Sequence, residues 1–166
     1  MPSSREIANT DRLSPDMTVE EVVKVAIKFE QTAYLFYTGL VEKVRPEVRP
    51  LVRDLAAEEK RHCELLDQLA RSDDLGRQLQ HRIKRPPTAE ALESYVDIPL
   101  FPDEPLEDSL LEYAESRERI AYEHYGYLAE ITPSGSVKEL FEFLRDEEDG
   151  HLRALQTREA MMFSIF

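Results

Sequence analysis

Residues 55–66 have the sequence LAAEEKRHCELL, and residues 144–155 have the sequence LRDEEDGHLRAL. Both stretches contain the pattern Glu-x-x-His, formed by Glu59 and His62 in the first and by Glu148 and His151 in the second. Residues three apart lie on one face of a helix, so each pattern directs a carboxylate and an imidazole toward the same point. The two stretches therefore predict metal ligands on two separate helices.

A single glutamate precedes each pattern, Glu30 by 29 residues and Glu118 by 30 residues. Each lies in a helical run of apolar side chains that would be buried if the helices pack. His81 and His124, the other two histidines, have no glutamate three residues before them. The candidate metal ligands are Glu30, Glu59, His62, Glu118, Glu148 and His151.

An internal repeat surrounds these residues. A shift of 88 positions places Ala26, Glu30, Ala33, Tyr34, Tyr37 and Leu40 on Ala114, Glu118, Ala121, Tyr122, Tyr125 and Leu128. A shift of 89 positions places Leu51, Leu55, Glu58, Glu59, His62 and Leu66 on Leu140, Leu144, Glu147, Glu148, His151 and Leu155. The change of one residue falls between the two members of each pair, where a turn tolerates it. The repeat predicts two related helical hairpins with pseudo-twofold symmetry.

The hydrophobic periodicity predicts an all-α four-helix bundle. A capping-box spacing at Thr18 to Glu21 begins the first helix, which is expected to end near Val44. Pro46 suits the first turn of the second helix, and a second capping-box spacing at Ser136 begins the fourth. The third helix is expected over about 106–131.

A Pro-rich crossover, residues 73–104, joins helices two and three, with helical turns expected at 75–83 and 88–95. The chain is predicted to be one domain over 1–166, with a mobile N-terminal arm, 1–16. Its apolar tail, 161–166, is expected to pack in a homodimer interface or back onto its own bundle.

Composition and charge limit the function. The formal net charge of −13 argues against binding nucleic acid, which requires basic patches. The single cysteine, Cys63, excludes an intrachain disulfide and is expected to be a small buried residue beside the metal face. Without a membrane-length apolar run or a signal-like start, the chain is expected to be cytoplasmic.

Four carboxylates on the buried faces need a counter-charge. Burial of an unpaired ionised carboxylate costs several kcal/mol, and neighbouring carboxylates also repel one another. Two divalent cations would neutralise all four. The donor set suits iron, and manganese and zinc accept the same oxygen and nitrogen ligands.

With Glu on helices one and three and Glu-x-x-His on helices two and four, the chain resembles the ferritin-like di-iron carboxylate superfamily over about residues 18–160. The resemblance implies that Glu30 and His62 bind one iron ion, Glu118 and His151 bind the other, and Glu59 and Glu148 bridge both. Within the superfamily the chain looks most like the rubrerythrin-like branch. That likeness implies a non-haem di-iron oxidoreductase that reduces hydrogen peroxide or dioxygen.

Two departures from rubrerythrins bear on this expectation. Their additional four-cysteine iron site cannot form here, so electrons are expected from ferrous iron or from a separate donor such as a rubredoxin-type protein. Ala121 stands where they have a further glutamate; Glu115 either replaces it in part or is a surface charge.

Residues beside the ligands have two interpretations each. Glu58 and Glu147 either hydrogen-bond the ligand histidine of the opposite hairpin or face solvent. Tyr34 and Tyr122 place hydroxyl groups near the carboxylates or simply fill the core. Gly150 indicates close approach of a neighbouring helix or has no specific role.

Alternative functions remain open from the residues alone. They are ferrous oxidation with iron storage in a ferritin-like cage, and a non-catalytic metal-binding bundle. A homodimer is expected, with neither nucleic acid nor membrane as a partner.

Overall fold

The structure, a computed structural model, describes residues 16–102 and 104–163, with side chains described as far as Arg158. Four long helices dominate it: α1 (Val19–Leu40), α2 (Arg49–Ala70), α5 (Glu107–Ile131) and α6 (Ser136–Phe163). The crossover between α2 and α5 contains two short helices, α3 (Gly76–Leu79) and α4 (Ala89–Glu93). α1 packs along α2 as one hairpin, and α5 packs along α6 as the other.

The start of α1 follows the predicted capping box. The Thr18 side chain accepts a hydrogen bond from the Glu21 N–H, and the Glu21 carboxylate accepts one from the Thr18 N–H. The helix ends at Leu40, and Val41–Lys43 form a 3₁₀ turn, so the predicted end at Val44 is slightly late.

The predicted role of Pro46 is wrong. The second helix begins at Arg49, and Pro50 occupies its first turn. An N–H group in that turn has no partner within the helix, so either proline is compatible with a helix start.

The predicted capping box at Ser136 is also wrong, because Ser136 is already the first residue of α6. The crossover supplies the cap instead: the Val137 N–H donates to the Gln78 side-chain oxygen at 3.1 Å. Gly135 makes this approach possible. Its φ of +152° favours glycine, and a Cβ atom there would lie 2.5 Å from the same Gln78 oxygen.

A small β-ribbon was not anticipated. Strand β1 (Asp16–Thr18) pairs antiparallel with β2 (Arg82–Lys84), with Met17 opposite Ile83. The Val19 N–H extends the ribbon by donating to the His81 carbonyl at 2.9 Å. Strand β2 overlaps the end of residues 75–83, which were predicted to form helical turns.

The hydrophobic core is divided along the bundle. One cluster contains Val23, Phe29, Leu66, Leu128 and Phe141 among others, and it extends under the ribbon and the short crossover helices. The second cluster, at the other end, contains Tyr37, Val48, Val52, Leu110 and Leu155. On each of the four long helices, the candidate metal ligands stand in the chain between residues of one cluster and residues of the other.

Two predicted segments fall largely outside the described residues. Residues 1–15 of the predicted arm are not described, and Asp16 belongs to β1. The backbone of Met161–Phe163 continues α6, whereas the packing of the apolar tail, 161–166, lies outside the description. Among the described helices, none is both long enough and apolar enough to cross a membrane.

Candidate metal centre

Six buried side chains converge midway along the four long helices. They are Glu30 on α1, Glu59 and His62 on α2, Glu118 on α5, and Glu148 and His151 on α6. None exposes more than 4% of its surface. Their ligand atoms form two groups, each with all atoms within 4.8 Å of one another. The first group is Glu30, Glu59, His62 and Glu148, and the second is Glu59, Glu118, Glu148 and His151.

Both imidazoles turn Nδ1 toward the carboxylates. His62 Nδ1 lies 3.1 Å from an oxygen of Glu59 and 3.1 Å from one of Glu148. His151 Nδ1 lies 3.0 Å from the other oxygen of Glu59 and 3.1 Å from the other oxygen of Glu148. The rings stack with centroids 5.5 Å apart. Glu59 and Glu148 each therefore present one oxygen to each imidazole.

The contact expected of Glu58 is present. Its carboxylate hydrogen-bonds Nε2 of His151, on the opposite hairpin. The equivalent contact of Glu147 is absent: its carboxylate lies in a group with His62 and His151 but forms no hydrogen bond with His62. Only one of the two imidazoles thus has its outer nitrogen bound to a carboxylate.

Two tyrosines bond the lone glutamates, but they are not the predicted ones. The Tyr37 hydroxyl donates to Glu118, and the Tyr125 hydroxyl donates to Glu30, so each bond joins the two hairpins. Tyr34 is half-buried, and Tyr122 is 38% exposed. A helix turns about 100° per residue, so the seventh residue after a glutamate returns to within about 20° of its direction, whereas the fourth is about 40° away. The tyrosine two turns later therefore enters the interior.

The cluster holds protons in the absence of metal. Burial and then repulsion from Glu59 raise the pKa of Glu30 and of Glu148 well above the usual carboxyl value. Burial acts in the same direction on Glu59, but hydrogen bonds from Glu30 and the two imidazoles outweigh it and lower the Glu59 pKa. For His62 and His151, burial lowers the pKa, and hydrogen bonds to the carboxylates outweigh it and raise both values.

One oxygen of the cluster has no donor when its carboxyl group is ionised. Glu30 Oε2 is buried, accepts no hydrogen bond and lies 3.9 Å from His62 Nδ1. A buried carboxylate oxygen without a donor is unfavourable unless a cation binds it. Four carboxylates and two imidazole nitrogens are also a donor set that iron, manganese and zinc accept. The residues therefore fit two divalent cations.

A groove of about 430 Å³ between α2 and α6 reaches the edge of this cluster. Its lining includes Leu55, Glu58, Glu147, Gly150 and His151. A Cβ atom on Gly150 would meet no atom within 4 Å, so the close helix approach considered for this glycine is not present. The groove offers small molecules a path to the outer side of His151.

The remaining predicted residues have structural roles. Glu115 accepts hydrogen bonds from Arg119 and Gln156, which agrees with a surface charge. Cys63 is half-buried, with its Sγ 3.9 Å from the Ile27 carbonyl oxygen, and burial raises its pKa to about 12. Its reactivity as a thiolate is correspondingly low.

One buried charged residue beside the cluster, Arg117, was not predicted from the sequence. Arg117 precedes Glu118 and is 1% exposed. The repeat contained a signal for this burial: a shift of 88 positions pairs Arg117 with Phe29, the apolar residue before Glu30.

Comparisons with known proteins agree with the geometry. A family model described as Rubrerythrin matches residues 21–158. Among solved structures, the chain is similar to a crystal structure from Thermotoga maritima described as a ferritin-like diiron-carboxylate protein, with a TM-score of 0.68 and 22% identity. The similarity covers 87% of this chain and 96% of that chain. A comparison with curated protein sequences gave no match. The structural likeness confirms the predicted ferritin-like helical bundle.

Proposed function

Because the chain belongs to the rubrerythrin family, we propose that it binds two iron ions and uses them to reduce hydrogen peroxide or dioxygen. The observation that carries the proposal is the membership of Glu59 and Glu148 in both ligand groups. A carboxylate has two oxygens and can bind two neighbouring cations at once. Two shared carboxylates therefore support a pair of metal ions rather than one.

The ligand assignment follows from the groups. Of the two four-residue groups, Glu30 and His62 belong to the first and not the second, so we assign them as terminal ligands of one ion. Glu118 and His151 belong to the second and not the first, and we assign them to the other ion. Both histidines would bind through Nδ1, the nitrogen that faces the carboxylates.

Two ferrous ions held by the six ligands would supply the two electrons that, with two protons, reduce one hydrogen peroxide molecule to two water molecules. The protein holds the terminal carboxylates through the Tyr37 and Tyr125 hydroxyl groups, which donate to Glu118 and Glu30. These bonds limit rotation of the two carboxylates and keep their free oxygens directed into the cluster.

Glu58 has a separate role in this proposal. When Nδ1 of His151 binds metal, its proton resides on Nε2 and is donated to Glu58. Glu58 thereby fixes the ring and increases the basicity of Nδ1. Because 47% of the Glu58 side chain is exposed at the groove, it can also exchange a proton with solvent.

The electron donor is proposed to be a separate protein. Residues 1–166 include a single cysteine, so they cannot form a four-cysteine iron site. After one turnover the centre would remain oxidised until a donor reduces it. A rubredoxin-type protein fits this requirement because it carries a single electron at an exposed iron–cysteine site.

Stopped-flow oxidation tests the proposal. Anaerobic protein loaded with ferrous iron is mixed with hydrogen peroxide and, separately, with dioxygen. We expect one rapid oxidation that then stops, and renewed turnover when a rubredoxin-type protein and its reductase are added. As a control, a Glu115→Gln variant should oxidise at the wild-type rate, because Glu115 lies on the same helix as Glu118 but belongs to neither ligand group.

Two outcomes would contradict the proposal. Oxidation no faster than that of free ferrous ions would remove the catalytic role. Retention of many iron ions per chain in a large assembly would instead indicate storage.

We also propose a homodimer. Among the described residues, four aliphatic side chains are more than half exposed: Leu35 at 52%, Ile98 at 57%, Leu100 at 101% and Leu106 at 73%. Apolar surface of this kind supports an interface. Light scattering of the metal-loaded protein would distinguish a dimer from a monomer or a cage.

A further inference from the structure

Arg117 is a fully enclosed cation that forms no ion pair with any described residue. Nη1 donates to the Tyr95 carbonyl at 2.9 Å, and Nη2 donates to the Phe29 carbonyl at 2.8 Å. The guanidinium lies over the Phe29 ring at 4.4 Å and near the Tyr95 ring at 5.7 Å. Carbonyl groups and aromatic faces compensate a buried cation in part, yet an apolar side chain would occupy this position at lower cost. A role beyond packing would explain why an arginine is present.

The contacts of Arg117 connect the backbone on both sides of the proposed centre. Arg117 immediately precedes Glu118 on α5, and its acceptor Phe29 immediately precedes Glu30 on α1. One guanidinium therefore links the residues adjacent to both terminal ligands. Its second bond attaches the crossover at Tyr95 to the same point.

Hydrogen bonds from three long side chains connect α1 with α5. The close backbone packing is within each hairpin, α1 with α2 and α5 with α6. Across the bundle, α1 and α5 are joined by the Tyr37–Glu118 and Tyr125–Glu30 hydrogen bonds and by the bond from Arg117 to Phe29. Of these three, only the arginine bond holds backbone rather than a ligand carboxylate. The arginine bond therefore connects the two helices without using a ligand side chain.

We propose that Arg117 is a positioning residue that sets the separation of Glu30 and Glu118, and so allows the second metal ion to bind after the first. The inference rests on the proposed two-metal function. A first ion can draw the shared carboxylates and one terminal pair together. The second ion can bind only if the remaining terminal carboxylate already lies at the correct distance from the shared carboxylates. The rigid, planar guanidinium of Arg117 would hold the two helices at that distance.

Anaerobic titration with cobalt(II), followed by visible absorption and calorimetry, tests this role. The wild-type chain should bind two equivalents. Arg117→Met, which removes the charge and both hydrogen bonds, should bind the first equivalent normally and the second at least about tenfold more weakly. Arg117→Lys keeps the charge but cannot span both carbonyls, so it should also weaken the second equivalent, to a smaller degree.

Arg119→Met is the matched control. Arg119 lies two residues later on α5, is 48% exposed on its side chain and pairs with Glu115. This variant should bind two equivalents with the wild-type spectrum.

Thermal unfolding with and without cobalt separates positioning from general stabilisation. A purely structural arginine would lower both midpoints equally. A positioning arginine should reduce the increase in midpoint that metal produces, and should alter the absorption of the second bound cobalt ion.

Unchanged affinity, spectrum and metal-induced increase in Arg117→Met would overturn the inference. If that variant does not fold, the lysine variant decides: a second equivalent of wild-type affinity overturns the inference, and a weakened one supports it. Failure of the wild-type chain to bind two equivalents would instead refute the proposed function.

Discussion

Removal of metal should produce a fold that loses stability as the pH rises. Burial and neighbouring carboxylates raise the pKa of Glu30 and Glu148, so the metal-free folded state binds protons that the unfolded chain releases. A carboxyl group with a raised folded pKa stabilises the fold fully below its unfolded value near 4.5, and that stabilisation is lost as the pH rises through the folded pKa.

The imidazoles act in the same direction. The pKa values of His62 and His151 are raised above 6.5, because hydrogen bonds to the carboxylates outweigh the lowering by burial. Their stabilisation is present below 6.5 and is lost above it. Glu59 has a lowered pKa, so its stabilisation is present above 4.5 and adds no slope near neutrality.

The size of the effect follows from the number of protons. Each proton held only by the folded state changes the free energy of unfolding by about 1.4 kcal/mol per pH unit. Glu30 and Glu148 alone therefore give a slope of up to about 2.7 kcal/mol per pH unit. In a domain of this size, that slope corresponds to roughly 5–11 °C in the thermal midpoint.

Metal should reverse the trend, since these ligands bind it in their deprotonated forms. Calorimetry of chelator-treated and cobalt-loaded protein, from about pH 6.5 to about pH 8.5, should show a midpoint difference that widens with pH. A Glu30→Gln variant removes one titrating carboxyl group and should reduce the slope of the metal-free protein. A metal-free midpoint that stays constant or rises over this range would refute the reasoning, because the buried carboxyl groups would then be ionised without cost.

Five further substitutions, in three sets, test individual residues. Glu59→Ala should lose both metal ions and Glu30→Ala should keep about one, since Glu59 belongs to both ligand groups; equal metal contents after dialysis would contradict the bridging role. Tyr37→Phe and Tyr125→Phe should each lower metal-free stability in urea by roughly 1–3 kcal/mol, because each leaves a buried carboxylate with one donor fewer; an unchanged urea midpoint would show that the hydroxyl group is dispensable. Burial lowers the pKa of His124 to about 3, so its neutral form favours folding above 6.5 and this advantage is lost as the pH falls toward 3. A His124→Leu variant should therefore be less sensitive to acid over that range, as measured by fluorescence-detected unfolding, and equal sensitivity would argue against a buried neutral imidazole.

The convergence of the six candidate ligands could be predicted from the sequence. A glutamate on an apolar helical stripe must be buried when the helix packs, and the repeat shows that both hairpins contain one. Glu30 and Glu118 are therefore placed by periodicity alone. The sharing of Glu59 and Glu148 between two metal ions was implied only by the resemblance to the ferritin-like superfamily.

Contacts between distant segments could not be predicted in the same way. The helical repeat places Tyr37 closer than Tyr34 to the direction of Glu30, but only the position of the opposite hairpin identifies Glu118 as the partner of Tyr37. The cap on α6 comes from Gln78 in the crossover, so the local capping-box spacing at Ser136 was misleading. Arg117 was missed because an arginine beside an apolar stripe is normally expected to reach solvent.

The ribbon of β1 and β2 affects the order in which the chain folds. It pairs Met17 with Ile83, whereas each helical hairpin joins segments that are neighbours in the chain. Closing a long loop costs more entropy than forming a local hairpin, so the ribbon should form after the first hairpin. By the same argument it should open first, through a local fluctuation that leaves the helices intact. Amide groups such as that of Val19, which bonds the His81 carbonyl, should then exchange with solvent faster than those at the centre of α1.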